Sequence, residues 1–222
     1  MGRFDIGNIF AQANRIGRIF DELPSKLSKT WSEAVVYGWY PAPHMPGQLS
    51  QRSLESQENI DIRMLSEFED SYIQTKEFII CNAEQRIEIL TEAFKLHEGR
   101  NYIACIPLLL SQADGIFSDL IGVSVFTRRE ELQNKIEKSI ESKFDSSEIA
   151  KAYFSTFSVT TQFHEGSNST SDEMKTAAPN RNGILHGDIN HLDYGTHPNS
   201  CKSINFLASA LWLKESYKQK NA

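Results

Sequence analysis

The sequence predicts an all-α protein, a multi-helix bundle carrying an N-terminal helical extension. Apolar residues recur at three- and four-residue spacings along most of the chain, and nowhere is there a sustained two-residue alternation of the kind a half-buried strand needs. With 222 residues, 40% of them hydrophobic and 23% charged, the chain is long enough to bury a core and lacks the composition of a disordered one. No internal repeat is present.

Element by element, residues 4–22 place Ile6, Ile9, Phe10, Ile16, Ile19 and Phe20 on one helical face, and the helix ends before Pro24. A second helix over 28–40 stops at the breaker PAPHMPG, and its aromatics Trp31, Tyr37, Trp39 and Tyr40 are expected to pack at a helix end. The polar segment 47–56 reads as a linker, which divides the chain into an extension, 1–55, and a bundle domain, 56–222. Helical spacing returns over 59–79 and 84–97. Residues 101–122 form the most apolar helix, the expected centre of the bundle, with Pro107 inside it. Helices over 127–143 and 146–163 follow, then the Ser/Thr-rich stretch 164–178, in which 165–177 is expected to be mobile and to flank a site. The last helix reads as amphipathic through Ile204, Leu207, Leu211 and Trp212, with Asn199 or Ser200 as its cap.

Composition narrows the function classes. A net charge of −6 argues against broad nucleic-acid binding, which rests on neutralising phosphates with Lys and Arg. Cys81, Cys105 and Cys201 are odd in number, widely spaced and free of any C-x-x-C pair, which reads as a reducing, cytoplasmic setting with Cys105 as a small core residue. The N-terminus is too charged for a signal-peptide core, and Ile6 spoils a myristoylation reading of Gly2. The apolar run 102–110 is far shorter than a membrane span, so no membrane association is expected. Arg15 and Arg18 share a face of the first helix and are a weak site for RNA contact.

Chemistry concentrates in APNRNGILHGDINHLDYGTHPNS, residues 178–200. Residues 180–187 read as a short helix with Asn180 as N-cap and Gly187 as the residue after its C-terminus. Asn182 and His186 lie four residues apart on one face, Arg181 swings towards them, and Ile184 and Leu185 are expected to anchor the helix in the bundle. An imidazole that titrates near neutrality beside a two-pronged guanidinium suits phosphodiester chemistry. The competing reading is a solvated loop whose Arg and His merely cap and hydrate.

An Arg followed by a polar residue, three more residues and a His, RNGILH, near the end of an all-α chain resembles the HEPN superfamily. The upstream IPLLLSQADGIFSDL helix is similar too, and the likeness covers about residues 84–222. The resemblance implies a homodimer with two facing motifs and a metal-independent endoribonuclease, a toxin or effector in bacterial defence or stress response. It would need no cofactor, would take RNA as substrate, and would have an antitoxin or sensor encoded nearby as a further partner. Under it His186 carries acid–base transfer, Arg181 stabilises the phosphorane charge, and Asn182 orients the phosphate or the imidazole. Where members paired with a small nucleotidyltransferase carry a Tyr two residues after the His, this chain has Asp188, so that subgroup's tyrosine modification is not expected.

Around this motif, Asp114, Tyr194, Arg128 and Arg129 stand as further substrate-binding residues. Asp114 lies in the apolar helix, where an unpaired carboxylate is costly, so it caps a neighbouring segment or supports Arg181. Arg128 and Arg129 interleave with Glu130 and Glu131, the pattern of a solvated face. Two other function classes stay open. One is a non-catalytic HEPN-like module for dimerisation or partner binding. The other is a metal-dependent hydrolase built on His186, Asp188, His191, Asp193 and His197, although these occupy a loop without H-E-x-x-H spacing.

Overall fold

The computed structural model describes residue 26 and residues 28–45, 55–143, 147–159, 161–163 and 177–220. Every regular element among the described residues is helical, as the periodicity predicts. Helix α1 spans 28–36, α2 Gln57–Cys81, α3 Ile87–Glu98, α4 Tyr102–Ile121, α5 Arg129–Lys143, α6 Glu148–Thr156, α7 Arg181–His186 and α8 His197–Lys220. Short 3-10 turns occupy Glu84–Arg86 and Ile189–Tyr194. The helix expected over 4–22, with Arg15 and Arg18, lies outside the described residues, as do most of the expected linker and nearly all of 165–177.

Local chemistry explains most of the boundaries. Ser56 accepts the Asn59 N–H at 3.2 Å and Ser147 that of Ala150 at 3.2 Å, each satisfying a donor the first turn leaves open. Gly122 closes α4 in the left-handed region (φ 80°). Helix α6 ends at Thr156, seven residues before the expected end. Phe157 and Phe163 both need burial, and the turns between them let both rings reach Phe206, at centroid distances of 5.6 and 5.0 Å. Helix α8 begins at His197, ahead of the expected cap, because Thr196 takes that role: its Oγ1 accepts from Asn199 N and its carbonyl from Ser200 N.

The centre of the molecule is α4 packed on α8, with α3 against α4 and α2 against α8. Contrary to the amphipathic reading, every residue of α8 from 200 to 211 is buried. Small side chains at Ser200, Ser203, Ala208, Ser209 and Ala210 let neighbours approach from all sides, so the helix is enclosed rather than laid on a surface. Helix α4 has the length and apolarity of a membrane span, yet Cys105, Ile106, Leu109, Ala113, Ile116 and Phe117 are buried within the bundle. It is a core helix here.

The described part of the N-terminal extension belongs to this same core. Trp31, Trp39, Tyr40 and Met45 are buried, and the Tyr40 ring sits 5.0 Å from Phe157 and 4.8 Å from Phe206. These aromatics pack, as their position at a helix end suggested. Gly38 (φ 85°) lets the chain turn after α1: a Cβ there would fall 2.5 Å from the Ala177 carbonyl oxygen.

One lysine among the described residues is buried completely. The Lys202 side chain, with no exposure, pairs with Asp61 of α2 at 2.8 Å, donates to the Ala177 carbonyl at 2.8 Å and lies 5.4 Å from the centre of the Trp39 ring. Asp61 also accepts from Trp39 Nε1 at 2.6 Å and Gln57 Nε2 at 2.9 Å. Burial lowers the Lys202 pKa, and Asp61 opposes that by favouring the ammonium. Removing one partner strands the other charge, so Asp61→Ala is expected to lower unfolding free energy by about 3 kcal/mol. The double variant Asp61→Leu/Lys202→Met should recover most of that loss in urea denaturation, and equal losses in the two would show that the pair is not coupled.

Candidate functional site

Six residues are too few for a helix to persist by propensity alone. Helix α7 is therefore held from outside, and both predicted caps are present. The Asn180 side chain accepts from Gly183 N at 2.7 Å. At the other end Gly187 turns left-handed (φ 66°), with Gly187 N donating to Ile184 O and Asp188 N to Gly183 O at 2.9 Å, the paired bonds of a Schellman ending.

The buried side of α7 is not the one expected. Leu185 is 49% exposed, Ile184 is half-buried against the core, and Gly183 is the buried residue. A Cβ at Gly183 would lie 2.2 Å from Cδ2 of His191, so the backbone of α7 rests directly on the imidazole of the following 3-10 turn. The two aliphatics do not anchor the helix as a pair, because this close approach sets its rotation.

Rotated this way, α7 presents the three motif side chains in different settings. The Arg181 guanidinium stacks over Phe126 at 5.1 Å and donates to Asn182 Oδ1 at 3.2 Å. His186 is exposed at the C-terminal end, one helical turn beyond Asn182. Asp114 supports this arrangement at one remove. Its Oδ1 accepts from Ser124 Oγ at 2.7 Å and Val125 N at 2.8 Å, which fixes the turn after α4 that carries Phe126. Sequence reasoning missed Phe126, whose only signal is its place just past that turn.

Tyr194 is engaged with the scaffold. Pro107 has no N–H, so the Ile103 carbonyl one turn earlier in α4 lacks its helical donor, and the Tyr194 hydroxyl supplies one at 3.0 Å. Gly195 allows the contact: a Cβ there would stand 2.4 Å from Ile103 Cγ1. Arg129 is half-buried and donates to the Phe157 carbonyl at 3.4 Å, whereas Arg128 is exposed at a second cleft lined by Glu130, Glu131, Asn134, Lys135 and Lys138.

A cleft of about 240 Å³ opens beside the motif, with Asn180, His191, Asp193, Tyr194, Asn199 and the Lys202–Asp61 pair among its lining. Neither member of that pair was singled out in the sequence. The available signal was a lysine within SCKSINFLASAL, where no exposed face remains for its charge.

Among the described residues, no three of the five residues of the loop metal reading hold their donor atoms within 4.8 Å of one another. His186 is exposed, Asp188 accepts from Asn190 N and Nδ2 at 2.9 and 3.0 Å, His191 is buried against Gly183, and Asp193 borders the cleft. His197 instead joins His97 and Cys201, and among the described residues these three form the metal-ligand group whose donor atoms lie within 4.8 Å of one another. Burial first, and His197 second, lower the His97 pKa to about 4.

Comparison with known protein families, with curated proteins and with solved structures returns no match.

Two expectations arise from the way α7 is held. Gly183→Ala should destabilise the fold by about 1–3 kcal/mol through overpacking, with His191→Ala in the same chain returning part of the loss in thermal melts. Tyr194→Phe should cost about 1 kcal/mol by leaving the Ile103 carbonyl without its donor, whereas in a Pro107→Ala background, where a helical N–H is restored, the same change should cost less.

Proposed function

We propose that this chain is a metal-independent endoribonuclease of the HEPN type, acting as a homodimer and serving as a toxin-like effector in bacterial defence or stress response. The observation that carries the reading is the motif's geometry: Arg181 is braced on Phe126 and Asn182, while His186 stands exposed on the same short helix. A pre-positioned guanidinium and a solvent-accessible imidazole are what transesterification of RNA asks of protein side chains.

In this mechanism His186 takes the proton from a ribose 2′-hydroxyl as its oxygen attacks the adjacent phosphorus. Arg181 meets the charge that accumulates on the phosphorane oxygens, and Asn182 orients the guanidinium through their shared hydrogen bond. The leaving 5′-oxygen needs a proton, and one motif has a single imidazole. A second chain related by a two-fold axis supplies the other. Exposed apolar side chains beside the motif support such pairing: Leu185 is 49%, Ile189 79% and Leu192 62% exposed. A non-catalytic dimerisation module would use the same apolar surface, and an RNA-cleavage assay separates the two readings.

Purified protein should cut single-stranded RNA within minutes in the presence of EDTA and leave cyclic phosphate ends. His186→Ala should abolish cleavage while the circular dichroism and the dimer persist, since an exposed side chain leaves no cavity. Arg181→Lys keeps the charge but loses the planar contact, so the rate should fall about tenfold or more. A folded, dimeric His186→Ala protein that cuts RNA as fast as the parent would end the proposal, and a parent that never cuts RNA would favour the non-catalytic module.

A further inference from the structure

We propose that His97, His197 and Cys201 form a binding site for one Zn²⁺-class ion, which fastens the C-terminal end of α3 to the first turns of α8. The three side chains come from two helices, α3 and α8, that each pack on α4, and their donor atoms already lie within 4.8 Å of one another. Two imidazoles and a thiol are the donor set of a borderline-soft ion rather than of Mg²⁺ or Ca²⁺, which take oxygen ligands.

The internal geometry suits a tetrahedral ion. His197 and Cys201 are four residues apart on α8 and so share a face, with Nε2 to Sγ at 3.4 Å. Zn–N and Zn–S bonds of roughly 2.0 and 2.3 Å at tetrahedral angles place two such atoms about 3.5 Å apart. The His97 ring stacks on that of His197, centroids 5.8 Å apart and planes within 28°.

The surroundings resemble the support that metal-bound imidazoles need. The Ser200 hydroxyl lies 2.7 Å from His97 Nδ1 and 3.1 Å from Cys105 Sγ, holding the ring in one orientation from behind. Tyr72 and Tyr102 close around the rings at 5.5 and 5.8 Å from His97. His97, Cys201 and Ser200 are buried and His197 is half-buried, which leaves His197 as the side from which an ion enters. On binding, the Cys201 thiol gives up its proton to solvent and the thiolate and two neutral imidazoles donate their lone pairs to the ion, with no change of oxidation state. Water completes a fourth position.

Co²⁺ is the probe, because its spectrum reports both geometry and ligand type. Full-length protein, dialysed against a chelator under reducing conditions, should bind one Co²⁺ per chain. It should develop tetrahedral d–d bands in the visible and a thiolate-to-cobalt band in the near ultraviolet, all abolished by equimolar Zn²⁺. Cys201→Ala should remove the thiolate band, and His197→Gln, at a half-buried position that tolerates an amide, should weaken Co²⁺ binding at least tenfold. Zn²⁺ should raise the melting temperature of the parent and leave that of His197→Gln unchanged. His191→Ala should bind as the parent does. Absence of a thiolate band in the folded parent would overturn the site. So would a band that survives Cys201→Ala, since another thiol, Cys81 or Cys105, would then be its source, or binding lost in His191→Ala but kept in His197→Gln.

Discussion

A single buried ammonium, Lys202, determines how the pieces of this molecule meet. It cannot sit in the core without partners, and the partners it has come from three separate stretches of chain. Asp61 brings α2, Trp39 brings the end of the N-terminal segment, and the Ala177 carbonyl brings the stretch of chain that enters α7. Aliphatic packing is non-directional and would accept several arrangements of these elements. The ammonium accepts few, because its donors and the Asp61 oxygens must meet at hydrogen-bonding distance. The start of the motif helix is thereby located by an interaction on a different helix, and Asn180 begins α7 three residues after that contact.

The motif helix itself is short and leans on its environment at every point: caps at both ends, Gly183 on His191, Arg181 on Phe126. Phe126 in turn depends on Asp114 through the Ser124–Val125 turn. This layering separates tasks. Residues that hold the helix are half-buried or buried, and His186, with no such duty, stands exposed. On the other side of α7, the missing N–H of Pro107 becomes a docking point for Tyr194, so a residue that weakens α4 as an isolated helix strengthens its grip on the neighbouring turn.

Much of this was legible in the sequence, for physical reasons that differ by element. The bounds of α2, α4 and α7 follow from local rules, namely helical spacing, Asn and Ser caps and left-handed glycines, and these act within a few residues. Features that depended on distant partners were not legible. The full enclosure of α8 arises from small residues that only matter once other helices approach, and the role of Lys202 exists only when Asp61 is opposite. The His and Asp residues of 186–197 look like one cluster along the chain, yet the chain turns at Gly187 and kinks at His191, and no three of them bring their donor atoms together. His97 was invisible as a companion of His197 for the same reason: proximity across two helices leaves no mark on spacing.

The contacts flanking residues 164–176 have a consequence for how this chain tolerates change in length. Just before them Phe163 stacks on Phe206, and just after them Ala177 accepts from Lys202, two positions of α8 one helical turn apart. Phe163 and Ala177 are thus held against the same helix at nearly the same height. With Ala177 fixed on Lys202, the entry to the motif helix is located whatever number of residues precedes it. Insertions between Phe163 and Ala177 therefore leave the register of the motif tied to the buried ammonium.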